Sequence, residues 1–330
     1  MHDFIQKKIL SLAKMATITI AMSAIIISFI LYQTHSSPST RIIAISQFAA
    51  HPSLDRIRLG ILEELNKNDY LHKNKIQIVY ENANGSLSSA HQIAQKLMHI
   101  EPTVVVGIAT PSAQSLNAAN KTKSIPLVFS GVTDPISANL VKDLDITAEN
   151  VTGTLDLPPM KNQITLLQKI VPDLKRLGIL YNPKEINSIK QIEKLTPFAQ
   201  IEGIEIIKSP AHKSGDVFTA ATKLVGQVDA IYIPNDNTIA SAIKSVVRVA
   251  NENKIPTMAS DDQSTKEGIL VSLANDSFLI GQETGKIIIR ILNGEPIREI
   301  DVCIPSQLNF TINEQTAKLL SIPLDRINLD

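Results

Sequence analysis

From residue 41 onward, short runs of β-branched and apolar residues alternate with longer segments in which apolar positions recur three or four apart. The first rhythm suits strands buried on both faces, and the second suits helices laid over them. The pattern predicts strands at residues 41–46, 76–80, 103–107 and 127–130, with helices at 54–66, 86–99 and 112–120 between them. Residues 151–154 read as a crossing into a second half, where the cycle restarts. Helices are expected there at 160–170, 187–200, 216–225, 238–252 and 278–292, and strands at 176–181, 204–207, around Ile231, at 257–259 and at 268–273. A further strand and a short helix at 314–320 close the chain.

The two halves repeat one design. Residues 103–114, TVVVGIATPSAQ, carry an apolar run through Thr110, Pro111 and Ser112 into a helix N-terminus. Residues 229–241, DAIYIPNDNTIAS, do the same through Asn235, Asp236 and Asn237, with Thr238 as a plausible cap. Each is followed by a helix and a strand entered through Ile-Pro, at Ile125 and Ile255, and that strand ends at an aspartate loop, Thr133-Asp134 or Ser260-Asp261. The expected fold is therefore α/β, with two doubly wound parallel-sheet lobes joined by a hinge. The lobes are assigned to residues 41–153 with a return segment at about 276–302, and 154–275 with the C-terminal 303–330.

Open α/β sheets bind ligands outside the carboxyl ends of their strands. Short polar side chains are expected at those ends: Gln47, Thr110, Ser112, Thr133, Asp134, Asn187, Asp236, Asn237, Ser260 and Asp261. Helix entries after Thr110 and Thr133 favour a carboxylate on the ligand. An ammonium group would pair with Asp236 or Asp261, and the repeat position favours Asp236 unless that residue only caps the helix near Thr238. His51 sits on a strand-end loop as well.

Composition narrows the chemistry. The 330 residues carry 32 Lys+Arg against 32 Asp+Glu, and a net charge of zero argues against a nucleic-acid partner held by bulk charge. The single cysteine, Cys303, leaves no intrachain disulfide and no thiolate metal site. None of the 13 glycines forms GxG, and neither a GxxxxGK[ST] loop, an HExxH pair nor a GxSxG elbow occurs. The chain is expected to be no enzyme and to carry no cofactor or metal.

The N-terminus adds a location. Lys7, Lys8 and Lys14 precede an uncharged, mostly apolar run at residues 15–33. That order reads as a cleaved signal or a single membrane anchor within residues 1–40, with the chain from Arg41 outside the cytoplasm.

Five motifs carry a family resemblance. They are Gln47 with His51-Pro52-Ser53-Leu54-Asp55, Ala109-Thr110-Pro111-Ser112-Ala113-Gln114, Phe129-Ser130-Gly131-Val132-Thr133-Asp134-Pro135, Tyr181-Asn182-Pro183 with Asn187-Ser188, and Ile233-Pro234-Asn235-Asp236-Asn237-Thr238. From Arg41 to about Leu324 the chain resembles the ABC-transporter substrate-binding proteins of the tryptophan/tyrosine uptake type. The resemblance implies a type I periplasmic-binding-protein fold, a free α-amino acid, often aromatic, as ligand, and permease and ATPase partners. It adds Ala113, Ser130 and Ser188 to the expected ligand-binding residues. No lipid-anchor cysteine follows the apolar run, and the Ser260-Asp261-Asp262 loop matches loosely. The alternative reading is a membrane-anchored ligand sensor of the same fold acting through a partner protein.

Overall fold

A computed structural model describes Met1, Thr19, residues 22–24, 41–73, 76–144 and 150–327. Residues 1–40 and 41–330 form separate compact units. The apolar run at 15–33 lies almost wholly outside the described residues. Among the described residues, no helix is long and apolar enough to cross a membrane.

The first sheet contains β1 (Arg41–Gln47), β2 (Ile76–Asn82), β3 (Val104–Ile108), β4 (Leu127–Val132) and β5 (Val151–Leu155), in the order β2-β1-β3-β4-β5. Every pairing in it is parallel. Parallel strands need crossover connections, and α1 (Pro52–Lys67), α2 (Leu87–His99) and α3 (Thr110–Ala119) supply those that lead from β1 to β4. β3 is buried at every residue, which is why its sequence is apolar without alternation.

Residues 151–154 are not a crossing. They belong to β5, a fifth strand in parallel register with β4, and the chain leaves the sheet only after Leu155. Gly153 is required there by close approach, since an added Cβ would lie 2.1 Å from the Phe129 carbonyl oxygen.

The second sheet contains β6 (Arg176–Tyr181), β7 (Glu205–Pro210), β8 (Ala230–Ile233), β9 (Thr257–Ala259), β10 (Val271–Asn275) and β11 (Leu308–Ile312). Their order is β7-β6-β8-β9-β10-β11, parallel except where β11 runs against β10. Around it lie α4 (Met160–Ile170), α5 (Ile186–Ile201), α6 (Val217–Lys223), α7 (Asn237–Ser241) and α8 (Ile243–Glu252). The single helix expected at 238–252 is thus two, broken at Ala242, whose φ of −122° and ψ of 25° leave the helical region.

After β10 the chain returns to the first lobe as α9 (Ser277–Leu292), which lies against α1. The contact needs glycine on both helices. A Cβ on Gly60 would sit 2.2 Å from the Phe278 carbonyl oxygen, and one on Gly281 would sit 2.0 Å from that of Ile57. Cys303 then bridges to Thr154 on the edge of β5 before the chain crosses back to β11 and α10 (Glu314–Leu320).

In both sheets the strand order reverses beside the first strand, between β1 and β3 and between β6 and β8. Each reversal leaves a crevice at the carboxyl edge, because the flanking loops depart to opposite faces.

Candidate functional site

Both crevices open onto one cavity with about 460 Å³ of atom-free space, part of it continuous with solvent. The first lobe lines it with His51, Ser53, Leu54 and Ile57 after β1, Ala109 and Thr110 after β3, and Gly131 and Thr133 at the end of β4. The second lobe contributes Asn187 after β6, residues 234–237 with Ala240 after β8, and Asp261 after β9. Asp156 and Ser277 reach it from the crossings between the sheets.

The lobes touch across this cavity. Ser53 Oγ donates to Asp261 Oδ1 at 2.8 Å, and Lys194 Nζ lies 2.8 Å from Asp134 Oδ2. His51 Nε2 and Asn237 Oδ1 are 3.3 Å apart. Asn237 Nδ2 donates to the acceptor-only Glu185 carboxylate at 2.6 Å, so its Oδ1 must accept and His51 Nε2 carries the proton. Burial holds the His51 pKa below its usual value against the pull of Asp261 and other acids, keeping the ring neutral.

On the first-lobe side the N-terminus of α3 has no side-chain cap. The residue before it, Ala109, has φ of 72° and ψ of 154°, a region otherwise almost confined to glycine. Its N–H donates to the Ser130 carbonyl at 2.9 Å, which anchors the turn to β4. The strained turn presents uncapped amides beside the Thr110 side chain, an arrangement suited to an anion.

Several expected site residues stand behind this wall instead. Ser112 Oγ faces Ser46 Oγ at 3.1 Å, and Ala113 packs under Gly107 in the core. Gln47 Nε2 donates to the Ala49 carbonyl and to Asp55 Oδ1, fixing the loop that enters α1. Ser130 Oγ pairs with Thr284 Oγ1 at 2.6 Å, tying β4 to α9. The described residues after Thr133, 134–144, form turns and bends rather than the expected helix. Asp134 there accepts from Ser137 N at 2.9 Å within a turn and pairs with Lys194, so it joins the lobes rather than lining the cavity.

The second lobe also rearranges the expected roles. Asp236, not Thr238, is the N-cap of α7: its Oδ1 accepts from Ile239 N at 3.0 Å, and its Oδ2 accepts from Asn182 N at 2.5 Å. Burial, reinforced by the nearby Glu185 charge, pushes the Asp236 pKa well above the usual carboxylate range. Glu185 in turn accepts from the amides of Asn237 and Thr238, a second cap from the neighbouring loop. Ser188 is buried behind Asp236. Ser260 belongs to a buried network, donating to Tyr232 OH at 2.7 Å and accepting from Gln191 Nε2 at 2.7 Å. Asp261 is occupied by donors from Ser53 Oγ, Gln263 N, Ser264 N and Ser264 Oγ.

The acid that sequence reasoning missed is Asp156. Burial, with Asp262 and Asp261 adding negative charge, raises its pKa to about 7 against the hydrogen bonds from Asn275 and Asn235. The signal was available: had residues 151–155 been read as a strand, Asp156 would have stood at a strand end like the others.

A family model described as ABC transporter substrate binding protein matches residues 42–327. The chain belongs to that family. Its members are solute-binding proteins rather than enzymes, and those of ABC importers work outside the cytoplasm. The Tyrosine-binding protein of Clostridioides difficile is 35% identical over 280 residues, 85% of this chain and 81% of that one. The ABC domain from Streptococcus pneumonia in complex with L-Trp superposes with a TM-score of 0.83 at 35% identity, over 87% of this chain and 96% of that one. A ligand-free, open substrate-binding protein from Clostridium difficile gives 0.65 at 32% identity, over 86% and 95%. The two α/β lobes are those of a type I periplasmic binding protein.

Proposed function

We propose that this protein is the exported solute-binding component of an ABC importer, and that its ligand is an α-amino acid with an aromatic side chain. The observation that carries the reading is the cavity itself, bridged by cross-lobe contacts and polar in opposite senses on its two sides. Uncapped helix amides with Thr110 and Thr133 face it from the first lobe, while carboxylates and amide oxygens face it from the second. A zwitterion needs both, because a buried charge without a partner costs several kcal/mol, of the order of 3 to 5. Leu54, Ile57, Ala109 and Pro234 supply apolar wall for a ring.

Two relatives at 35% identity bind tyrosine or tryptophan by their names. The chain also superposes better on the tryptophan complex than on an open, ligand-free relative of similar identity, which supports a closed arrangement of its lobes. The basic-flanked apolar run at 15–33 supports export, by cleavage or by anchoring. Release of the captured amino acid to a permease then requires the lobes to part.

A thermal-shift screen of the purified protein against the twenty amino acids tests the reading. L-tryptophan or L-tyrosine should raise the melting temperature, since ligand at 100 times its dissociation constant adds about 2.7 kcal/mol. No shift with any amino acid would remove it.

A further inference from the structure

Resting on the amino-acid reading, we propose that the ligand's ammonium group is received by three acceptors at the junction of the lobes: the Asp156 carboxylate, Asn235 Oδ1 and Asn187 Oδ1. The three residues line the cavity and are linked in series by hydrogen bonds. Asn235 Nδ2 donates to Asp156 Oδ2 at 2.9 Å and to the Asp156 carbonyl at 3.2 Å. Asn187 Nδ2 donates to the Asn235 carbonyl at 2.6 Å and to Glu185 Oε2 at 3.3 Å.

These bonds fix which way both amides point. Each Nδ2 group donates to a backbone carbonyl, Asn235 to that of Asp156 and Asn187 to that of Asn235, and a carbonyl has no proton to give, so neither amide can be turned over without setting lone pair against lone pair. The Oδ1 atoms are thereby committed, and both are buried with no donor. Asn187 as a whole is only 4% exposed, a depth at which an unused acceptor calls for a donor from elsewhere.

Asp156 is in the same position. Asn275 Nδ2 takes Oδ1 at 2.9 Å and Asn235 Nδ2 takes Oδ2, one donor for each oxygen where a carboxylate accommodates about four in all. The other charged groups acting on it, Asp262 and Asp261, are acids and only repel its charge. The rival acids are already engaged, Asp261 by four donors and Asp236 by backbone amides that cap α7 and hold Asn182. An ammonium has three N–H donors, matching the three unfilled acceptors in number and supplying the missing positive charge.

The raised pKa gives the subsite a second signature. With a carboxyl near pH 7 when unliganded, ammonium binding favours the ionised form and expels the proton that part of the population carries. Proton release should therefore grow as the pH is lowered from about 8 to about 6, with affinity falling in step.

The test is calorimetry on the full chain with L-tryptophan and with indole-3-propionate, its analogue lacking the amino group. Wild type should prefer L-tryptophan, and Asp156→Asn, whose NH2 must face the Nδ2 of Asn235 or Asn275, should cut the preference for L-tryptophan over indole-3-propionate by about 30-fold or more. Titrations of wild type in two buffers of different ionisation enthalpy measure the released proton without any variant. Wild type that binds L-tryptophan with no proton release, or an Asp156→Asn protein of unchanged discrimination, overturns the ammonium assignment and leaves the amino-acid reading standing. Wild type that binds no amino acid overturns both.

Discussion

The Lys194 ammonium on α5 lies 2.8 Å from the Asp134 carboxylate after β4, joining one lobe to the other beside the cavity. Burial alone would raise the Asp134 pKa, yet the bonds from Lys194 and from Ser137 outweigh it and hold the group below the usual range. The pair exists only while the lobes are together, so it biases the molecule toward closure. Lys194→Ala should lower the melting temperature little, because the lysine end of the pair is 44% exposed and a pair so solvated is worth about 1 kcal/mol or less. It should weaken ligand binding by about two- to fivefold, read by calorimetry, and small-angle scattering should show a larger unliganded radius.

Asp236→Asn separates capping from ligand pairing. Asparagine keeps an oxygen for Ile239 N, but its NH2 group would face Asn182 N, donor against donor. Stability should fall by about 1 to 2 kcal/mol in urea unfolding. The dissociation constant for L-tryptophan should stay within about threefold of wild type, since one pKa unit of free energy is about tenfold and no such charge pairing is lost. A loss of more than a hundredfold in a folded variant would return the ammonium to Asp236.

Ala109 stores strain where α3 begins. Glycine adopts that backbone without steric cost, although it adds freedom to the unfolded chain. Ala109→Gly should therefore raise stability by about 1 kcal/mol, the strain relieved exceeding the entropy added. Differential scanning calorimetry decides the sign.

His51 sets an acid limit. Its pKa is lowered in the folded protein, so the neutral ring's contribution is present above the usual imidazole value and is lost as the pH falls through the lowered one. Between about pH 7.5 and about pH 5.5 the unfolded chain takes up a proton that the folded chain resists. Denaturant midpoints measured at both values should drop further for wild type than for His51→Gln.

The fold was legible because its periodicities are plain. Unbroken apolar runs mark buried parallel strands, and the Ile-Pro entries at Ile125 and Ile255 mark the internal repeat. What escaped was tertiary. Val151 to Leu155 is too short and too rich in Thr and Gly to announce itself as a strand, and Asp156 was lost with it. At the site, the sequence marks the strand-end loops but not which side chains turn outward. Thr110 faces the cavity while Ser112, two residues on, turns back to Ser46, a choice made by the helical rotation at the start of α3. Asp236 was ambiguous from the outset, because an aspartate before a helix serves as a cap and as a counter-charge with the same sequence signature.

The glycine contact between α1 and α9 bears on how the protein is made. The first lobe is discontinuous: the face of α1 that carries Ile57, Ile61 and Gly60 is covered by a helix that begins only at Ser277. During synthesis or export the N-terminal sheet must wait, one apolar flank bare, until nearly all of the chain has emerged. Premature termination anywhere before α9 therefore yields a fragment with an open seam, a natural substrate for chaperones and proteases, whereas losing only the last turn of α10 leaves that lobe whole.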